Sequence, residues 1–185
     1  MGARGWIAGL VVAGLSIASG TARAAQAEGE FLALFRSACL ANLTTPKSVA
    51  TRFSAARVSP LPPESAQAIL GGESGAAWPV QGVSGPFAVA LTDKSVCMVI
   101  GTSPRLEPLV DLFEATSQQK KRDDRRTSKT ARLTYAVTVP GTGGGPDGHA
   151  LVEISALTSD GESVLRITAI PEAVLFGTGG SISWP

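Results

Sequence analysis

The chain has 185 residues, 44% of them hydrophobic and 17% charged, with a formal net charge of +1. That balance excludes the strongly basic profile of a nucleic-acid binder, and the length suits one domain around a single core. With two cysteines and one histidine, a zinc site is poorly supplied.

Met1-Gly2-Ala3-Arg4, the apolar run from Trp6 to Ala18 and the small-residue site Ala22-Arg23-Ala24 are the three parts of a secretory signal peptide. The run falls short of the roughly 20 apolar residues a membrane-spanning helix needs, and Gly9, Gly14 and Ser16 dilute it. No Cys stands at the cleavage point to carry a lipid, and no Arg-Arg pair precedes the run. The expected organisation is a signal peptide over 1–24, one domain over 25–175 and a loosely held tail over 176–185. A periplasmic or secreted address follows, with no transmembrane segment after cleavage. Removing Arg4 and Arg23 takes the net charge to about −1. In an oxidising compartment Cys39 and Cys97 are expected to pair, the alternative being a Cys nucleophile with an idle second Cys.

From Glu28 to Asn42, the positions of Phe31, Leu34, Phe35, Ala38 and Cys39 make one apolar helical stripe. Thr45-Pro46 reads as the cap and first residue of a second helix that turns Val49 and Phe53 inward. The stiff Ser59-Pro60-Leu61-Pro62-Pro63 connector leads into a short helix ending near Leu70. The stretch 71–75 reads as loop, and Trp78-Pro79-Val80 as the approach to a strand over Pro86 to Leu91. Thr92-Asp93-Lys94 turns that strand into another, Ser95 to Ile100. Both are apolar on both faces, which predicts a central hairpin covered on each side.

Ser103-Pro104 repeats the cap-then-Pro start, and Leu106, Leu109, Val110 and Phe113 form the clearest helical stripe in the chain, with Pro108 in its first turn. The charge-dense run from Gln118 to Arg126 reads as a frayed helix end or a mobile loop. From Ala131 the period becomes two, predicting a half-exposed strand followed by strands over Ala150 to Ser155 and Ser163 to Ile170. The predicted fold is α+β: a five-stranded, mostly antiparallel sheet with N-terminal helices and one crossing helix.

No spacing in the chain specifies a catalytic residue, a cofactor or a metal. His149 follows a Gly-rich loop without a nucleophile signature beside it. Gly141 to Gly148 has phosphate-loop composition, but Pro146 and the following strand break the dinucleotide pattern. Ser117-Gln118-Gln119-Lys120 fits S-x-x-K, yet stands at a helix end and lacks the companion motifs. Glu64, Glu73, Asp93, Glu107 and Glu153 are scattered. Lys120, Lys121, Arg122, Arg125 and Arg126 form a candidate interaction patch, interrupted by Asp123 and Asp124 and without aromatics for base stacking.

The helix Phe31 to Cys39, Trp78-Pro79-Val80, and Lys94 to Val99 followed by Pro104-Arg105-Leu106 together resemble a group of small exported or lipid-anchored proteins of proteobacteria, over about residues 30 to 115. The resemblance implies a periplasmic address and a Cys39–Cys97 pair, and supplies no catalytic residue. The expected function is that of a non-enzymatic envelope protein binding an envelope partner or a small ligand. A small hydrolase using His149 is the alternative, and a membrane-surface protein using the 120–129 run is a third reading.

Overall fold

The structure, a computed structural model, describes residues 18–117, 119, 121–140, 147–159 and 162–176. Of the predicted tail over 176–185, Phe176 closes the last helix, and the rest, like the loop at 141–146, lies outside the described residues. Helix α1 (Ala18–Ala38) ends in a 3-10 turn (Leu40–Asn42) and is followed by α2 (Lys47–Ala55) and α3 (Pro63–Ile69). Strands β1 (Gly75–Gln81), β2 (Pro86–Thr92) and β3 (Cys97–Gly101) precede α4 (Leu106–Ser117). Strands β4 (Lys121–Arg126), β5 (Thr130–Val139), β6 (Gly148–Ser159) and β7 (Glu162–Pro171) then lead to α5 (Glu172–Phe176).

The α+β class is as predicted, but the sheet has seven strands, not five, in the order β1-β2-β3-β7-β6-β5-β4, and every pairing is antiparallel. Two hairpin-linked meanders meet at β3 and β7, and α4 is the crossing connection that carries the chain to the far edge. The two strands absent from the prediction are the two edges. In β1, Ala77 accepts from Leu61 N–H at 2.7 Å, so alternate residues turn their backbone groups outward and Pro79 withholds a donor only from the free edge. Gly75 opens this strand at φ +156, where a Cβ would stand 2.2 Å from the Leu91 carbonyl oxygen. Strand β4 is exposed at every residue, so no apolar alternation marks it. Its turn is closed by Thr127, whose side chain accepts from Lys129 N–H and Thr130 N–H while its own N–H donates to Thr130 C=O.

One face of the sheet carries the main core. The row Trp78, Val89, Val99, Ile167, Ile154, Leu133 crosses six strands in register and is covered by α1 and α4. Phe31, Phe35, Leu109 and Phe113 are fully buried there, each burial stabilising by about 1.5–3 kcal/mol. On the opposite face, α3 sets Ala66 and Leu70 on Ala77, Ala90 and Met98, so the β2–β3 hairpin is covered on both sides as its composition predicts. It lies to one side of the sheet, however, and β7 occupies the middle.

The predicted disulfide is present. Cys39, just past α1, bonds to Cys97 at the start of β3, with Cα atoms 5.4 Å apart, and both residues are buried. The helix starts differ in detail from expectation. Helix α1 begins ahead of Glu28, and α2 has Pro46 at its cap position with no side-chain cap from Thr45. At α4 the N-terminus is served from another element: the buried Glu28 carboxylate accepts from Arg105 N–H at 2.9 Å and lies 3.3 Å from Arg105 Nε. Pro108 falls within the first turn, where a missing N–H costs nothing.

Candidate binding site

The basic run singled out in the sequence is a strand edge whose charges are largely spent on neighbours. Arg125 Nε is 2.8 Å from Asp123. Lys121 Nζ is 3.1 Å from Asp124 and 3.7 Å from Glu114. Arg126 holds Asp124 at 2.7 Å and also pairs with Glu107. The hydrogen bonds from Arg126 and then Lys121 hold the Asp124 carboxyl below its ordinary range, and the paired guanidinium of Arg126 is shifted upward in turn. Arg122 is in no ion pair among the described residues, and Lys120 lies outside them. The patch is therefore a screened, mutually neutralised edge, of the kind that blocks strand-to-strand association.

On the outer sheet face beyond α3, Glu153 is buried between two arginines, 2.5 Å from Arg132 Nη2 and 3.9 Å from Arg166 Nη2. These residues line an open cleft with Ile69, Ile100, Leu157 and Val164, the last two facing each other across β6 and β7. Here too the cations have a carboxylate.

His149 lies on β6 opposite Thr138, with Nδ1 3.1 Å from the Thr138 hydroxyl. It shares a shallow cleft with Ser95, Asp147 and Glu172. Ser95 has a left-handed backbone (φ 69), the conformation that closes the β2–β3 hairpin turn, where its N–H donates to Thr92 C=O. The S-x-x-K serine donates its hydroxyl to Phe113 C=O at 2.6 Å, back into its own helix. Among the described residues no group of three or more potential metal ligands is gathered, and no helix is long and apolar enough to cross a membrane.

The cleft with the most distinct character was not visible as a motif. Leu34 and Ala38 from α1, Val49 and Phe53 from α2, Ala56 and Val58 after it, and Pro79 and Val80 from β1 enclose about 370 Å³, within the usual range for ligand pockets of roughly 300–1,000 Å³. Its floor is ordered by Phe53, stacked on Trp78 at 5.0 Å with the rings 4° from parallel. Local rules hold the walls apart. Asn42 donates to Ser37 C=O at 3.0 Å and Ala38 C=O at 2.9 Å, closing the C-terminus of α1, and accepts from the Ser48 hydroxyl at 2.5 Å, which ties α2 to that end.

One cation lines this cleft, and a second follows in the chain between two lining residues. Arg52 lines it and donates from Nη1 to Ser37 C=O at 2.8 Å, which fixes its guanidinium at the mouth and leaves the other donors open. Arg57 lies between the lining residues Ala56 and Val58 at φ 56, closing α2 with Val58 N–H donating to Phe53 C=O at 2.9 Å. That αL position favours Gly or Asn, and a branched-out side chain such as Arg costs about 1–2 kcal/mol there. Neither arginine is in an ion pair among the described residues.

Comparison with protein-family models, with curated proteins and with solved structures finds no match for this chain.

Proposed function

We propose that this chain is an exported envelope protein whose disulfide-closed domain works by binding, with the cleft between α1, α2 and β1 as its ligand site. The observation that carries the reading is an apolar cleft fixed by buried polar caps, with Arg52 among its lining residues, Arg57 between two of them in the chain, and no carboxylate in the lining. Pockets of this kind bind by apolar contact and orient the ligand through a few polar groups. The signal-like N-terminus, the likeness to small exported proteins of proteobacteria and the Cys39–Cys97 bond all support an oxidising envelope compartment.

A fluorescent fatty-acid probe tests the site. Saturable binding is expected, and Leu34→Asp, which places a carboxylate in the cleft from a half-buried position, is expected to abolish it without unfolding the domain. Undiminished binding by the variant would remove this cleft as the site.

The second reading, a small hydrolase using His149, is favoured by the shallow cleft where His149 meets Ser95, Asp147 and Glu172. In the same probe assay His149→Ala leaves binding unchanged under the first reading. A turnover of ester substrates lost in that variant would favour the second.

A further inference from the structure

The α1–α2 pair carries positive charge that no carboxylate of its own segment offsets. Between Glu30 and Glu64 the chain holds Arg36, Lys47, Arg52 and Arg57 and no carboxylate at all. Of the flanking acids, Glu30 accepts from Ser84 N–H at 3.0 Å beside the β1–β2 turn, and Glu64 belongs to α3, on the opposite face of the sheet. None of the four cations is in an ion pair among the described residues, whereas Lys121, Arg125 and Arg126 of β4 and Arg132 and Arg166 of the outer sheet face are matched by Asp123, Asp124, Glu107 and Glu153, and of β4 only Arg122 is left without a partner among them. Unmatched positive charge beside an open apolar cleft is complementary to a ligand with an apolar chain and an anionic head.

Resting on the reading of this cleft as the ligand site, we propose that its occupant is one acyl chain of an anionic phospholipid. The phosphate lies on Arg52, and the exposed Arg57, between the lining residues Ala56 and Val58, adds a second cation facing the same anionic membrane surface, on which the domain docks through α1 and α2. The cleft volume of about 370 Å³ admits part of one chain and leaves the rest of the lipid in its leaflet. Leu34, Phe53, Val58 and Val80 supply the apolar contact. The strained backbone at Arg57 fits the same use, because the residue that would relax the α2 terminus would remove a cation from the segment beside the cleft.

The test is sedimentation of the protein, expressed as the full chain and purified as the cell processes it, with phosphatidylcholine vesicles with or without phosphatidylglycerol. Binding is expected only to the vesicles containing phosphatidylglycerol, and it should weaken as salt is raised. Arg57→Gly is the informative variant: it should raise the melting temperature by relieving the αL strain while weakening vesicle binding about five-fold, the usual worth of one cation at an anionic surface. Arg52→Gln should weaken it to a similar degree, and Arg122→Gln with Arg125→Gln on β4 should leave it unchanged. Equal losses from the β4 and α2 variants, or undiminished binding by Arg57→Gly, would overturn the proposal. Binding of the fatty-acid probe without binding to anionic vesicles would overturn the lipid surface as occupant while leaving the cleft as a ligand site. Absence of both would overturn the two together.

Discussion

Tyr135, the only tyrosine in the chain, shows how one residue reports on the core. Its ring is fully buried against Phe113 at 4.9 Å, and its hydroxyl donates to Glu114 at 2.8 Å. Burial first, and then the neighbouring carboxylate, raise the phenol above its ordinary value of 10.0. The native state therefore holds this proton at a pH where the unfolded chain has released it. Stability from this group is complete below about pH 10 and is lost as pH climbs through the raised native value. An ultraviolet titration should show no phenolate at the ordinary midpoint while the circular dichroism stays native, and Tyr135→Phe should flatten part of the alkaline loss of stability. A reversible phenolate signal near pH 10 in folded protein would contradict the buried environment.

At the scale of elements, the disulfide joins the end of α1 to the start of β3 across a sequence separation of 58 residues. The chain-entropy argument gives such a closure roughly 4 kcal/mol of stabilisation. Cys39→Ser with Cys97→Ser is accordingly expected to lower the unfolding free energy by about 2–5 kcal/mol in denaturant titrations and to leave the sheet intact. The α1–β3 contact is also served by Phe31, Phe35 and Val99, which is why the fold should survive. A variant as stable as the parent would mean that the packing alone fixes α1. Glu28 plays a matching part at the other end of the described core, where a carboxylate on α1 serves the first turn of α4. No sequence window contains both partners.

For the whole molecule, the decisive measurement is the intact mass of protein recovered from the envelope. The expected species begins at Ala25. The α1 helix continues upstream to Ala18, but the first buried side chains among the described residues are Ala27 and Glu28, so cleavage after Ala24 leaves the described core intact. A mass retaining residues 1–24 would refute the export reading, and with it the oxidising compartment inferred for the cysteine pair.

What the sequence determined was local in origin. The apolar stripes of α1 and α4 and the alternation of β5 were legible because each bears its period within one short window. The double-sided apolar hairpin β2–β3 correctly announced cover on both faces, and two cysteines in a chain whose N-terminus reads as an export signal correctly announced a bond. Tertiary structure alone decided the edges and the charges. Strand β1 carries an interior proline and β4 no apolar residue, so each is a strand only because a neighbour offers a ladder. The basic run at 121–126 reads in sequence as a candidate interaction patch offset only by Asp123 and Asp124, yet Glu107 and Glu114 also come from α4 to meet it. Among the cations without a carboxylate partner, Arg52 became distinguishable only when α1, α2 and β1 closed around the cleft it lines. The acid-free stretch between Glu30 and Glu64 was the one linear trace of it. Pairing of charge depends on distance in space, which falls off over a few ångströms, and a sequence records only distance along the chain.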